Sequence, residues 1–150
     1  MVFKEPNPKV LVYPNQKEES DLELAFQYCQ QAKLSPIYAY GFLDHNRVDH
    51  LLNNLRLIDK YYPLEIILLD QHHRIQVRGP GTYCLTNAYR YVSFFTFKQA
   101  VIDLDAGFAY PVENYPLDTT TTNTLSNQVK TRGQLVVQTG LVLVIESNGK

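Results

Sequence analysis

Residues 64–69 read Leu-Glu-Ile-Ile-Leu-Leu, a nearly continuous apolar run of the kind a strand shows when both its faces are covered. The grammar of the chain changes just after it. Upstream, short β-prone runs at 9–13 and 37–40 alternate with two helical stripes. The first stripe opens on Ser20 with Glu23 three residues on, a capping-box arrangement, and continues through Leu22, Ala25, Phe26 and Cys29. The second carries Val48, Leu51, Leu52 and Leu55 and closes at Pro63, which cannot continue a helix. Strand, helix, strand, helix, strand is the order of a parallel α/β unit. Downstream of Asp70 no helical period returns. Strand-like runs at 75–78, 82–85, 89–97, 100–104, 133–137 and 141–146 are separated by turn residues such as Gly79-Pro80-Gly81, the pattern of an antiparallel sandwich.

The expected fold is an α/β partial parallel sheet of three strands and two helices over residues 1–71, followed by an all-β antiparallel sandwich over residues 72–150. Three parallel strands make a thin sheet with exposed edges, so further strands are expected ahead of Met1.

Composition narrows the function classes. Hydrophobic residues at 45% and charged residues at 19% fit a packed globular chain, and eleven Tyr and seven Phe without Trp favour strands. A formal net charge of −1 supplies no basic footprint for nucleic acid or an anionic membrane surface. Cys29 and Cys84 stand far apart with no CxxC, which signals neither a disulfide framework nor a zinc site; both are expected to be buried thiols. No apolar run approaches the roughly eighteen residues of a membrane-crossing helix, and residues 1–8 are polar and Pro-bearing, unlike a signal peptide. The cytoplasm is the default compartment.

Three segments could carry chemistry. Lys17-Glu18-Glu19-Ser20-Asp21 lies at the mouth of a helix after a strand, the edge at which open α/β sheets bind ligands. Helix N–H groups there attract phosphate, and a carboxylate beside them can hold magnesium. The plainer reading is that Ser20 and Glu23 cap the helix and Asp21 complements its dipole. The segment 41–50, Gly-Phe-Leu-Asp-His-Asn-Arg-Val-Asp-His, occupies the next strand-to-helix junction. Arg47, His50 and Asn54 fall on one flank of that helix, where Arg47 could grip phosphate bidentately. Equally, Asn46 could be the N-cap of a solvated face with Asp49 in its first turn. His45, His50, His72 and His73 make no metal pattern, because no two sit at i, i+4 on one helix face with a third ligand in view; His72 and His73 read as a hairpin turn. The third segment, 108–127, holds Tyr110-Pro111, a Thr run at 119–122 and Leu125-Ser126-Asn127, which in a β-rich region reads as strand edge and loop.

In this order and register the segments resemble thiamin pyrophosphokinase. Lys17-Glu18-Glu19-Ser20-Asp21-Leu22-Glu23 resembles the family's acidic stretch of Lys, acid, any residue, Thr, Asp, with Ser in place of Thr. His45-Asn46-Arg47-Val48-Asp49-His50, followed by Leu52-Asn53-Asn54-Leu55, resembles its Gly-Gly-Arg-x-Asp-His signature with both glycines replaced. Ala109-Tyr110-Pro111-Val112 and Ser126-Asn127 resemble its Lys-aromatic-Pro-Leu strand and Ser-Asn pair. Tyr91-Val92-Ser93-Phe94 and Gly140-Leu141-Val142-Leu143-Val144-Ile145 resemble its Tyr-x-Ser-Leu strand and its terminal strand. The usual Phe-Gly before the Ser-Asn pair is absent, with Thr119 and Thr120 near that place, and Gln128 replaces a common Glu.

The resemblance implies an enzyme that moves diphosphate from ATP to the hydroxyethyl group of thiamin, giving thiamin diphosphate and AMP, with Mg2+ as cofactor and ATP as co-substrate, in a cytoplasmic homodimer. Residues 1–71 would then be a remnant of an ATP-binding domain and residues 72–150 a thiamin-binding sandwich. Asp21, Arg47 and Asp49 are the implied catalytic residues, with Asp21 and Asp49 as metal ligands. Lys17, Ser20, His50 and Asn54 would serve the phosphate side; Tyr110, Ser126 and Asn127 would serve thiamin, usually from a second subunit. The rims around residues 21 and 47 would open side by side. Family members carry a preceding segment with an Asp-Phe-Asp-Ser stretch of magnesium ligands. These 150 residues lack it, so the chain is expected to be a truncated fragment with little or no turnover. The alternative is a non-catalytic thiamin-binding or dimerisation module.

Overall fold

A computed structural model describes residues 19–149; the run expected as a strand at 9–13, and Lys17, lie outside the described residues. Ser20 caps α1 (Asp21–Gln31), its Oγ accepting from the Glu23 N–H at 3.2 Å. The capping box closes on that side alone. The Glu23 carboxylate turns instead to Lys60 Nζ at 2.6 Å and accepts from the Tyr61 hydroxyl at 3.1 Å. α1 buries Leu22, Leu24 and Phe26, whereas Ala25, expected on the apolar stripe, faces solvent.

β1 (Ile37–Tyr40), α2 (Val48–Lys60) and β2 (Ile66–Leu69) follow. The inward face of α2 is Asn54, Leu57 and Ile58, continued by Tyr61 just past its end, an i, i+3, i+4, i+7 stripe. Val48 and Leu52, expected on that stripe, are 68% and 46% exposed. The remaining strands are β3 (His73–Arg78), β4 (Gly81–Thr86), β5 (Tyr91–Phe95), β6 (Gln99–Leu104), β7 (Val112–Asp118), β8 (Arg132–Gly140) and β9 (Val142–Ser147).

β1 and β2 pair in parallel, and from β2 onward the sheet continues antiparallel in the order β1-β2-β3-β9-β5. This first sheet is mixed and runs unbroken across residues 70–74, where the sequence changes grammar. A second sheet, β4-β8-β6-β7, is antiparallel throughout. Strand β9 serves two cores at once, because successive side chains point to opposite faces. Leu143 joins Leu22, Phe26, Leu57, Ile58 and Ile66 beneath the helices. Val142 and Val144 join Phe94, Ile102, Phe108 and Leu135 between the sheets. A strand covered on both sides reads as an unbroken apolar run, which is why 141–145 shows no alternation.

β7 is the strand that the sequence reading passed over. It lies at the edge of the second sheet and carries Pro116 and a left-handed Asn114 at φ +48; an edge strand accommodates proline because its missing N–H need not enter the ladder. Cys84 is exposed, and Cys29 is half-buried with its thiol pushed up by burial, so neither is fully buried as expected. Among the described residues no helix is long and apolar enough to cross a membrane.

Candidate functional site

The parallel pair β1 and β2 brings two carboxyl ends to one edge of the first sheet, the ligand-binding edge of open α/β sheets. Two connections meet there, 41–47 leading into α2 and 70–72 leading into β3. Gly41, at φ +83, starts the first in a left-handed conformation that glycine adopts without steric penalty. Asp44 Oδ1 then accepts from the Asn46 N–H at 2.8 Å, an Asx turn. Buried Asn54 reaches back from α2 and donates Nδ2–H to the Phe42 carbonyl at 2.9 Å. That bond ties the loop to the helix and places Asn54 on the inward face, not on the flank with Arg47 and His50.

The N-cap of α2 is Arg47 rather than Asn46, and no side chain caps it. The Arg47 guanidinium donates from Nε to Asp49 Oδ1 at 3.1 Å and from Nη2 to Asp49 Oδ2 at 2.8 Å, while Nη2 also lies 2.7 Å from His50 Nε2. Accepting there requires a neutral imidazole. The hydrogen bonds from Arg47 hold the Asp49 carboxyl well below the usual carboxylate range, and Asp49 in turn pushes Arg47 up. All three side chains are exposed. The Asp49 carboxylate balances the Arg47 charge and fixes the guanidinium at the helix N-terminus, where its Nη1 N–H groups and the free helix N–H groups can meet a phosphate oxygen.

Beside this group, Asp70 Oδ1 accepts from the His72 and His73 N–H groups at 2.7 Å each and lies 2.9 Å from His73 Nδ1. Burial pushes the Asp70 carboxyl up, but these hydrogen bonds outweigh it and leave it below its ordinary value. His45 Nε2 stands 3.5 Å from Asp70 Oδ2. His45, Asp70 and His73 thus present three ligand atoms within 4.8 Å of one another. This corrects the reading that the histidines form no metal pattern: the group joins two loops across a sheet edge, and no local spacing records it.

On the sandwich side, residues 124–127 are bonded to the outer edge of β5. Val92 and Asn127 exchange two backbone hydrogen bonds at 2.8 Å, and the Phe94 N–H donates to the Thr124 carbonyl at 3.0 Å. Ser126, left-handed at φ +58, donates its N–H to Ser93 Oγ at 2.9 Å and is itself exposed. Asn127 is buried. Its Oδ1 accepts from the Tyr110 N–H at 3.1 Å and the Gln128 N–H at 2.8 Å, and its Nδ2 donates to the Tyr110 carbonyl at 2.9 Å. Asn127 therefore fixes the backbone of Tyr110, which is 70% exposed, beside a crevice of about 240 Å³ lined by Phe94, Tyr115, Asn123 and Leu125 as well. A wider open groove of about 630 Å³ on the second sheet, with Asp103, Asp105 and Glu113, contains none of the predicted residues.

No family model matches the chain. It is 30% identical over 146 residues to the thiamine pyrophosphokinase of Bacillus subtilis (strain 168), an alignment that covers 93% of this chain and 68% of that protein. The chain belongs to the thiamine pyrophosphokinase family. The crystal structure of thiamine pyrophosphokinase from Bacillus subtilis matches it with a TM-score of 0.81 at 29% identity, over 90% of this chain and 66% of that one. The corresponding structure from Geobacillus thermodenitrificans gives 0.79 at 27% identity, over 92% and 66%. The chain spans about two thirds of the length of these relatives, and its two helices, mixed sheet and antiparallel sheet make a thiamine pyrophosphokinase-like fold.

Within that fold the predicted residues fall into separate places. Arg47, Asp49 and His50 are together, and so are Tyr110, Ser126 and Asn127. The first group follows β1 and the second lies against β5, the two outer strands of the first sheet among the described residues. Ser20 and Asp21 stand apart from both. The first turn of α1 touches the end of α2 through Glu23, Lys60 and Tyr61. Arg47 and Asp49 open that 13-residue helix at its other end, roughly 20 Å away. This corrects the expectation that the two rims open side by side. Asp21 and Asp49 consequently do not fit one shared Mg2+ ion, whose ligand oxygens lie at about 2.1 Å, and both Asp49 oxygens already accept from Arg47.

Proposed function

We propose that this chain acts as a thiamin pyrophosphokinase, transferring diphosphate from ATP to the hydroxyethyl oxygen of thiamin with AMP as the leaving group, in a cytoplasmic homodimer that uses Mg2+. The observation that carries this reading is the Arg47–Asp49–His50 group at a helix mouth on the sheet's carboxyl edge, in register with the family signature. Transfer of this kind asks a protein chiefly to position the reactants and neutralise charge. Asp49 and His50 orient Arg47, whose remaining N–H groups meet a phosphate oxygen. Tyr110 offers an aromatic face to the cationic thiazolium, worth roughly 0.5–2 kcal/mol. Ser126 and Asn127 border the place for the aminopyrimidine.

The attachment of the two groups to different outer strands of the first sheet, β1 and β5, supports a site built from two subunits, the Tyr110 crevice of one facing the Arg47 edge of its partner. Incubating the purified chain with thiamin and Mg-ATP is the test. Product formation is expected, and is expected to vanish in Arg47→Ala and in Tyr110→Ala. Mixing those two variants should restore part of it. Thiamin binding without product at any Mg-ATP concentration would leave only the binding-module reading, and failure of the mixture to recover would place the site within one subunit.

A further inference from the structure

We propose that His45, Asp70 and His73 form a binding site for one divalent first-row transition-metal ion of the zinc type, separate from any magnesium of the transfer reaction. The inference does not rest on the transfer reading. Asp70 is already oriented for it. The His72 and His73 N–H groups hold its Oδ1 at 2.7 Å each, which leaves Oδ2 pointed between the two imidazoles, 3.0 Å from His73 Nδ1 and 3.5 Å from His45 Nε2. Ligand atoms about 2.0–2.2 Å from a tetrahedral zinc ion lie about 3.4 Å from one another. The two observed separations bracket that value. The third edge of the triangle, within 4.8 Å, closes with a small rotation of His45.

The donor set selects the ion class. Two imidazoles and one carboxylate suit zinc and its first-row neighbours, whereas magnesium prefers oxygen donors. The side chains of His73 and Asp70 are 18% and 24% exposed and that of His45 is 64% exposed, so two ligands are anchored in the fold and the third stands at an open mouth through which an ion enters. Three protein ligands leave the fourth position to water or a substrate oxygen. A turn-closing Asp70–His73 pair accounts for His73 but not for His45, which leans onto the same carboxylate from another loop. That loop is held in place by the Asp44 turn and the Asn54 bond to Phe42. His45 also occupies a glycine position of the family signature, so the group belongs to this chain rather than to the family pattern.

Calorimetric titration of the untagged, chelator-stripped 150-residue chain with Zn2+ alone, with Co2+ absorption as the geometric readout, tests the site. One equivalent is expected to bind, with a tetrahedral Co2+ spectrum. Affinity should fall by more than about tenfold in His45→Ala and in His73→Ala and stay unchanged in His72→Ala, whose contribution is a backbone N–H. His45 is exposed and His73→Ala keeps the N–H that holds Asp70, so both variants are expected to fold, as circular dichroism would verify. Absence of saturable Zn2+ binding, or wild-type affinity in both His45→Ala and His73→Ala, would overturn the site.

Discussion

The two proposed half-sites of this molecule are built in opposite ways. At the carboxyl edge of β1 and β2, Arg47, Asp49 and His50 are exposed and hold one another. At the β5 edge, Asn127 is 6% exposed and its amide satisfies the backbone of Tyr110 and Gln128, so the residue that shapes the crevice also supports the chain around it. Function and stability are therefore separable at the first edge and entangled at the second. The cause is burial: a polar group in water can be removed without leaving an orphan, whereas a buried amide leaves its partners unpaired.

The largest effect should come from beneath the crevice. Phe108 is fully buried, packs edge-on against Phe94 at 6.0 Å and lies over Gly133, where a Cβ would fall 2.5 Å from its ring. Phe108→Ala should cost about 3–5 kcal/mol in a urea titration, and because β9 serves both cores the helical side should unfold with it. Two separate transitions would show that the cores are independent. Next, Asn127→Ala should cost about 1–3 kcal/mol by stranding two N–H groups and a carbonyl, and should weaken thiamin binding as well. Thiamin binding lost at unchanged stability would break the contrast between the edges.

A smaller effect is expected at Glu23. Hydrogen bonding from Lys60 holds its carboxyl below the ordinary value of 4.5, against the opposing effect of burial. A carboxyl lowered in the folded state stabilises the protein fully above its unfolded pKa and loses that contribution as pH falls through the lowered value. Glu23→Gln should therefore flatten the acid limb of the stability profile below about pH 4.5. At neutral pH it should remove less than about 1 kcal/mol, since Lys60 is largely in water. The smallest structural effect belongs to Arg47→Ala, which should leave the thermal midpoint unchanged while abolishing product. A marked fall in that midpoint would make Arg47 a structural residue and remove the asymmetry between the two edges.

The sequence by itself determined most of the elements. The run at 64–69 announced a strand covered on both faces, Ser20 announced a helix start, and the register of Arg47-Val48-Asp49-His50 and Ser126-Asn127 announced the family. Each of these signals is local, since side-chain periodicity along a chain records which faces are covered. The tertiary structure alone decided what meets what. It turned Asn54 inward to the Phe42 carbonyl, carried α1 to the far end of α2 from Arg47, set the Arg47 group and the Tyr110 crevice on different strands of one sheet, and drew His45 to Asp70 and His73. Those outcomes depend on how strands order and how crossovers pack, and residues distant in the chain become neighbours through pairings that no window of local sequence contains.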